Sequence, residues 1–201
     1  MNVRFGSLDI LVAIFSNPHN FTMNRYNIDV NEIRPKGTLV SLLAALNLAV
    51  SGIYLNPPYA PSSYELLFVA MLSNFLFLEI FSFLMGVLID YKTRREDSIS
   101  LVQYNIILTK YGLSVFALSA PLSVILLSMN ITGPLNYVMV VLALILLYLW
   151  FLSRAIASLY DTDERRALKV AFSTFSYFVF IPLSFYLYLF TTIIEIKGVQ
   201  F

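Results

Sequence analysis

The 201 residues are 59% hydrophobic, with a mean hydropathy of +0.77 and a net charge of +1, the composition of a polytopic membrane protein and not of a soluble domain. So weak a charge excludes a nucleic-acid binder, which needs a dense basic face. The lack of cysteine excludes disulfides, thiolate zinc sites and a cysteine nucleophile.

In chain order, residues 5–16 come first. Phe5, Leu8, Val12 and Phe15 recur at spacings of three and four, with Leu11 beside them, which predicts a helix too short to cross a bilayer. Asp9 interrupts the run and no small-residue cleavage site follows, so a signal peptide is not expected. The helix would lie on the inner membrane surface or pack into the cytoplasmic end of a bundle. Asn17-Pro18 ends it. Residues 20–37 read as polar and irregular, closing with a break at Pro35-Lys36-Gly37.

Five apolar stretches follow, at 38–55, 66–89, 106–129, 135–153 and 168–194. A bilayer core of about 30 Å takes about 20 residues of helix, so each is long enough to cross. Only helices satisfy their own backbone groups in lipid without closing a barrel. The fold class is therefore all-α: a polytopic integral membrane bundle of five transmembrane helices with a short N-terminal interfacial helix. Residues 1–37 form a cytoplasmic segment and 38–201 the transmembrane domain.

Arg4, Arg25, Arg34 and Lys36 precede the first stretch; Lys92, Arg94, Arg95 and Lys110 lie at the connection of the second and third. Arg154, Arg165, Arg166 and Lys169 lie at the connection of the fourth and fifth, and only Lys197 is left for the opposite side. By the positive-inside rule the N-terminus is cytoplasmic and the C-terminus extracytoplasmic in a multi-pass cell-membrane protein. Tyr148 and Trp150 then mark the cytoplasmic end of the fourth span as interfacial anchors.

The outer loop Asn56-Pro57-Pro58-Tyr59-Ala60-Pro61 reads as a rigid spacer. The outer turn Asn130-Ile131-Thr132-Gly133-Pro134 reads as a tight hairpin carrying a glycosylation sequon. Asp161, Asp163 and Glu164 read as the acidic start of the last helix. Pro121 and Pro182 are expected to kink the third and fifth spans.

Chemistry is sparse. The single histidine, His19, lies outside every span, so bis-histidine haem and a histidine-rich metal centre are excluded, and no Ser-His-Asp set can form in the membrane. No nucleotide-type glycine loop is present. No cofactor, metal or catalytic residue is expected, and the chain does not read as an enzyme.

One charge stands out. Glu79 lies eleven residues from Asp90, at the cytoplasmic end of the second span, or about 16 Å deep. Ionisable groups at such depth are costly and face a bundle interior. Asn47, Ser114 and Tyr177 fall at similar depth and could form one buried polar layer with Glu79. Lys110 is expected to snorkel to the interface instead of pairing with it. Glu79 then serves as a hydrogen-bonded structural group, a proton or substrate relay, or an inter-subunit contact. The aromatic fifth span, with Phe172, Phe175, Tyr177, Phe178 and Phe180, reads as packing, lipid-facing or subunit-facing surface.

The segment Leu11-Val12-Ala13-Ile14-Phe15-Ser16-Asn17-Pro18-His19-Asn20-Phe21 resembles the apolar-helix, Asn-Pro-x-x-Phe entrance of prokaryotic Yip-domain proteins, small five-span relatives of the eukaryotic Ypt-interacting proteins. Tyr111-Gly112 followed by Pro121, the proline-bearing outer loop and the stretch from Trp150 to Arg166 agree with that order. The resemblance implies a non-catalytic role in binding partners at the membrane. The chain therefore reads as a membrane scaffold or partner-recruiting protein. Its partners would be the lipid bilayer and other membrane protein subunits, with no nucleic acid. An accessory cofactor-free subunit of a respiratory or transport complex, and a small transporter with Glu79 at a midplane site, are the alternatives.

Overall fold

The computed structural model describes residues 6–24, 28–55, 64–94 and 100–196, with backbone alone for 64–66 and 181–196. The proline-rich outer loop lies outside the described residues. Helices are α1 (Ser7–Phe15), α2 (Pro18–Asn24), α3 (Val30–Leu55), α4 (Tyr64–Thr93) and α5 (Val102–Gly112), followed by α6 (Ser119–Ser128), α7 (Pro134–Leu159) and α8 (Glu164–Ile196). A 3₁₀ segment, Leu113–Leu118, joins α5 to α6. Among the described residues there is no strand.

Four helical stretches are long and apolar enough to cross a membrane: Val30–Leu55, Leu67–Thr93, Val102–Ser128 and Pro134–Leu159. α8, 33 residues long, covers the range of the fifth predicted stretch. The bundle is built around α5, whose residues Asn105 to Gly112 are buried without a break. α3, α4 and α7 surround it, and α1 closes its end.

Of residues 20–37, those described are mostly helical. α2 runs through Pro18–Asn24, and α3 begins at Val30, eight residues before the predicted start of the first span. Asp29 supplies the start signal, its carboxylate accepting the Asn31 N–H at 3.0 Å. Pro35 sits inside the helix and forfeits one backbone bond. The Lys36–Glu32 pair at 2.6 Å, one turn apart, and burial of Ile33 hold the turn nevertheless. Gly37 permits α3 to come down on α5, since a Cβ there would stand 3.2 Å from the Tyr111 ring and 3.3 Å from Lys110.

α1 forms where expected but docks through the other stripe. Ile10, Ala13 and Ile14 are buried in the bundle, whereas Leu8 and Val12 are 76% and 63% exposed. Phe15 packs edge-on against Phe151 of α7 at 4.5 Å. Both apolar faces thus have a use, one against protein and one turned outward. Pro18 opens α2, where its missing N–H costs nothing.

The third span is interrupted. Pro121 stands in the first turn of α6, and its ring would meet the carbonyl of Ala117, which lies in the 3₁₀ segment just before it. Pro182 lies in the part of α8 described by backbone alone. The turn before α7 is tight: Gly133 adopts φ +115°, its N–H donates to Leu55 at 3.0 Å, and Pro134 starts α7.

Tyr148 is not an interfacial anchor. α7 continues to Leu159, which leaves Tyr148 wholly buried between Phe81 and Phe116, with Gly112 admitting its ring edge. Trp150 is half exposed.

Candidate functional site

Two clusters of charged and polar groups stand out among the described residues. The first lies at the end of the bundle where the chain's basic residues concentrate. α4 buries a stripe at spacings of three and four, Leu78, Phe81, Ser82, Met85, Ile89 and Asp90, so its last turn carries a carboxylate into the packing. Asp90 is 3% exposed and well satisfied. Its Oδ1 accepts the Leu101 N–H at 2.9 Å and the Tyr160 hydroxyl at 2.5 Å, and its Oδ2 accepts the Ser100 hydroxyl at 3.0 Å. Arg94 stands 4.0 Å from Oδ2. Asn105 of α5 donates to the Tyr160 oxygen at 2.5 Å. Burial and the bond to Asp90 push the Tyr160 phenol above its ordinary range, so it remains a donor. One carboxylate thereby ties the start and end of the α4–α5 connection to the connection between α7 and α8.

The N-terminal helices join the same surface. Thr22 of α2 and Ser158 of α7 share a hydrogen bond of 2.9 Å, and Phe21 is buried against Tyr104. Between α2 and the α7–α8 turn opens a polar cleft of about 320 Å³. Asn17, Pro18 and His19 form one wall; Arg154, Thr162 and Glu164 form the other. Asp163 caps α8 through the Arg165 N–H at 3.2 Å, which fixes the Glu164 side of the cleft.

The second cluster is inside the bundle. Lys110, 5% exposed, donates to Glu79 Oε2 at 2.5 Å and to Thr38 Oγ1 at 3.0 Å. The expectation that Lys110 snorkels is overturned. It sits on the central helix, close against α3 at Gly37, and pairs with Glu79. Glu79 Oε1 is buried without a hydrogen-bond partner. One helical turn away on each helix, Arg34, Phe83 and Ile106 line a groove of about 470 Å³ between α3, α4 and α5.

The residues grouped with Glu79 from sequence have other partners. Asn47 donates to Leu43 of its own helix at 2.8 Å, and Ser114 donates to Tyr111 at 2.7 Å. Tyr177 is half exposed beneath the Lys92 ammonium, 4.3 Å from its ring centre. None of the three bonds to Glu79. The Glu79 partners are Lys110 and, through it, Thr38. The Asp90–Tyr160–Asn105 cluster was not foreseen. Its one sequence signal was an acidic residue at the very end of a long apolar run.

A third feature is an apolar cavity of about 290 Å³ between α4, α7 and α8, lined by Phe77, Phe81, Phe175 and Phe178 together with Asn74 and Tyr148. The Tyr148 hydroxyl has no partner among the described residues. Among those residues no group of three or more metal-ligating side chains comes together. No protein-family model, curated protein or solved structure matches this chain.

Proposed function

We propose that the chain is a non-catalytic protein of the cell membrane that crosses five times, with α8 as the fifth span. Its N-terminus is cytoplasmic, its C-terminus is outside, and it recruits partners on its cytoplasmic face. One observation carries this reading. Three separate segments, the N-terminal helices and both basic connections, are joined into a single surface by the Asp90–Tyr160–Asn105 cluster and the Thr22–Ser158 bond. Such a union presents the three segments as one surface, as a docking platform requires. The order of features shared with prokaryotic Yip-domain proteins agrees, because Asn17-Pro18-His19 forms one wall of the cleft.

A second reading, an accessory subunit of a larger membrane complex, is favoured by α4. Only 17% of its apolar window is buried, leaving Phe68, Leu72, Leu76, Phe77 and Ile80 as an open face. Purification in mild detergent separates the two. Recruitment predicts a partner that is lost when His19 and Thr162 are replaced by bulky residues. The subunit reading predicts a stoichiometric assembly unaffected by those changes and broken by Phe77→Ser.

A further inference from the structure

α7 and α8 leave a second groove on their outer side, distinct from the polar cleft, with a volume of about 530 Å³. Leu149 lies at its base, 3% exposed, and Trp150, Leu168 and Phe172 are its open apolar walls. Arg165 and Lys169 line one end. On α8 the spacing 165, 169, 172 puts both cations and the phenylalanine on one face. Arg165 to Phe172 is seven residues, so the groove changes from cationic to apolar over about 10 Å.

The cations are available. Neither Arg165 nor Lys169 makes an ion pair among the described residues, and Arg154, which lines the polar cleft, is a third cation 5.4 Å from the Trp150 ring centre. The nearest acid in sequence, Glu164, faces the polar cleft on the other side, and Asp163 is used as the α8 cap. Arg165 and Lys169 thus line this groove while Glu164 lines the cleft. A positive end above an apolar wall at the membrane boundary has the polarity of a phospholipid: phosphate at the boundary, acyl chain beneath.

We propose that this groove binds an anionic phospholipid, with its phosphate between Arg165 and Lys169 and an acyl chain along Trp150 and Phe172. The proposal requires α7 and α8 to lie in the membrane and is independent of partner recruitment. A transmembrane helix of another protein is the rival occupant, but it would leave both cations without a counter-charge.

Trp150 is the single tryptophan of the chain and therefore reports on this groove alone. The full-length protein is reconstituted in phosphatidylcholine bilayers containing increasing fractions of phosphatidylglycerol or phosphatidylcholine brominated on the acyl chains. The expected result is that brominated phosphatidylglycerol quenches Trp150 at a severalfold lower mole fraction than brominated phosphatidylcholine. Arg165→Gln and Lys169→Gln should each lower that preference about fivefold, matching the about 1 kcal/mol that a basic residue gains at an anionic surface. Arg166→Gln, on the same turn but outside the groove, should leave it unchanged. Quenching by brominated phosphatidylcholine in each variant reports that the groove is intact. Equal quenching by both lipids in the unaltered protein, meaning an unselective lipid annulus, overturns the proposal. So does quenching by neither, meaning a groove covered by protein, and so does a preference that survives the double substitution.

Discussion

At the residue scale, Lys110 organises the polar interior. A lysine on a lipid-facing helix extends its ammonium to water, and from sequence nothing distinguished α5 from such a helix. α5 is instead the centre of the bundle, so the nearest polar groups Lys110 can reach are Glu79 and Thr38. The pair was legible as two ionisable residues in adjacent spans; its closure was not, because which helix is central depends on packing across the whole chain. Removing one partner leaves the other charge buried, a cost of about 3–5 kcal/mol. Lys110→Met and Glu79→Leu should each destabilise on that scale, and the double substitution should lose less than the sum. Unfolding of the four proteins in micelles measures it; strict additivity would mean that the pair contributes nothing. Tyr160 offers a pH test. Its phenol is raised by burial and by Asp90, so the folded chain keeps the proton where the unfolded chain loses it, near pH 10. That contribution is present below pH 10 and is lost as pH rises past it. Tyr160→Phe should cost about 1–3 kcal/mol at neutral pH by depriving Asp90 and Asn105 of a partner, and should flatten the alkaline loss.

At the scale of elements, the apolar runs gave the long helices, while their ends and faces escaped. α3 starts early because Asp29 caps it, a signal that the following Pro35 masked. α1 buries Ile10, Ala13 and Ile14 and not the Leu8–Val12 stripe, because both faces are apolar and periodicity cannot rank them. Close approach of α4 and α5 depends on Gly86, where a Cβ would lie 2.9 Å from the Ile106 backbone nitrogen. Thr109 exploits that approach by donating to the Ser82 carbonyl at 3.0 Å. Gly86→Ala should therefore separate the helices and cost about 1–3 kcal/mol. Gly52→Ala on α3, where no side chain or other helix among the described residues comes within 4 Å of the new methyl, should be neutral or gain up to about 1 kcal/mol. Thermal unfolding of the two variants side by side decides it; equal losses would mean that helix propensity, not contact, governs both.

At the scale of the whole molecule, five crossings would put twelve basic residues on one side and one on the other, which predicts the orientation. Ser98→Cys should react with an impermeant thiol reagent only from the cytoplasm and Ser62→Cys only from outside; labelling of both from one side contradicts the topology. The bundle has this polarity in its construction as well. Its basic end is closed by α1, α2 and the Asp90 cluster, whereas the turn before α7 is pinned by Gly133 to Leu55. That union of three segments is the central claim, and a photo-crosslinking amino acid placed at single positions in intact cells tests it most directly. Crosslinkers at His19 and Thr162, on opposite walls of the cleft, should capture the same protein, and a crosslinker at Leu135 by the outer turn should not. Capture of unrelated proteins from the two walls, or of a partner from Leu135 alone, would contradict the account.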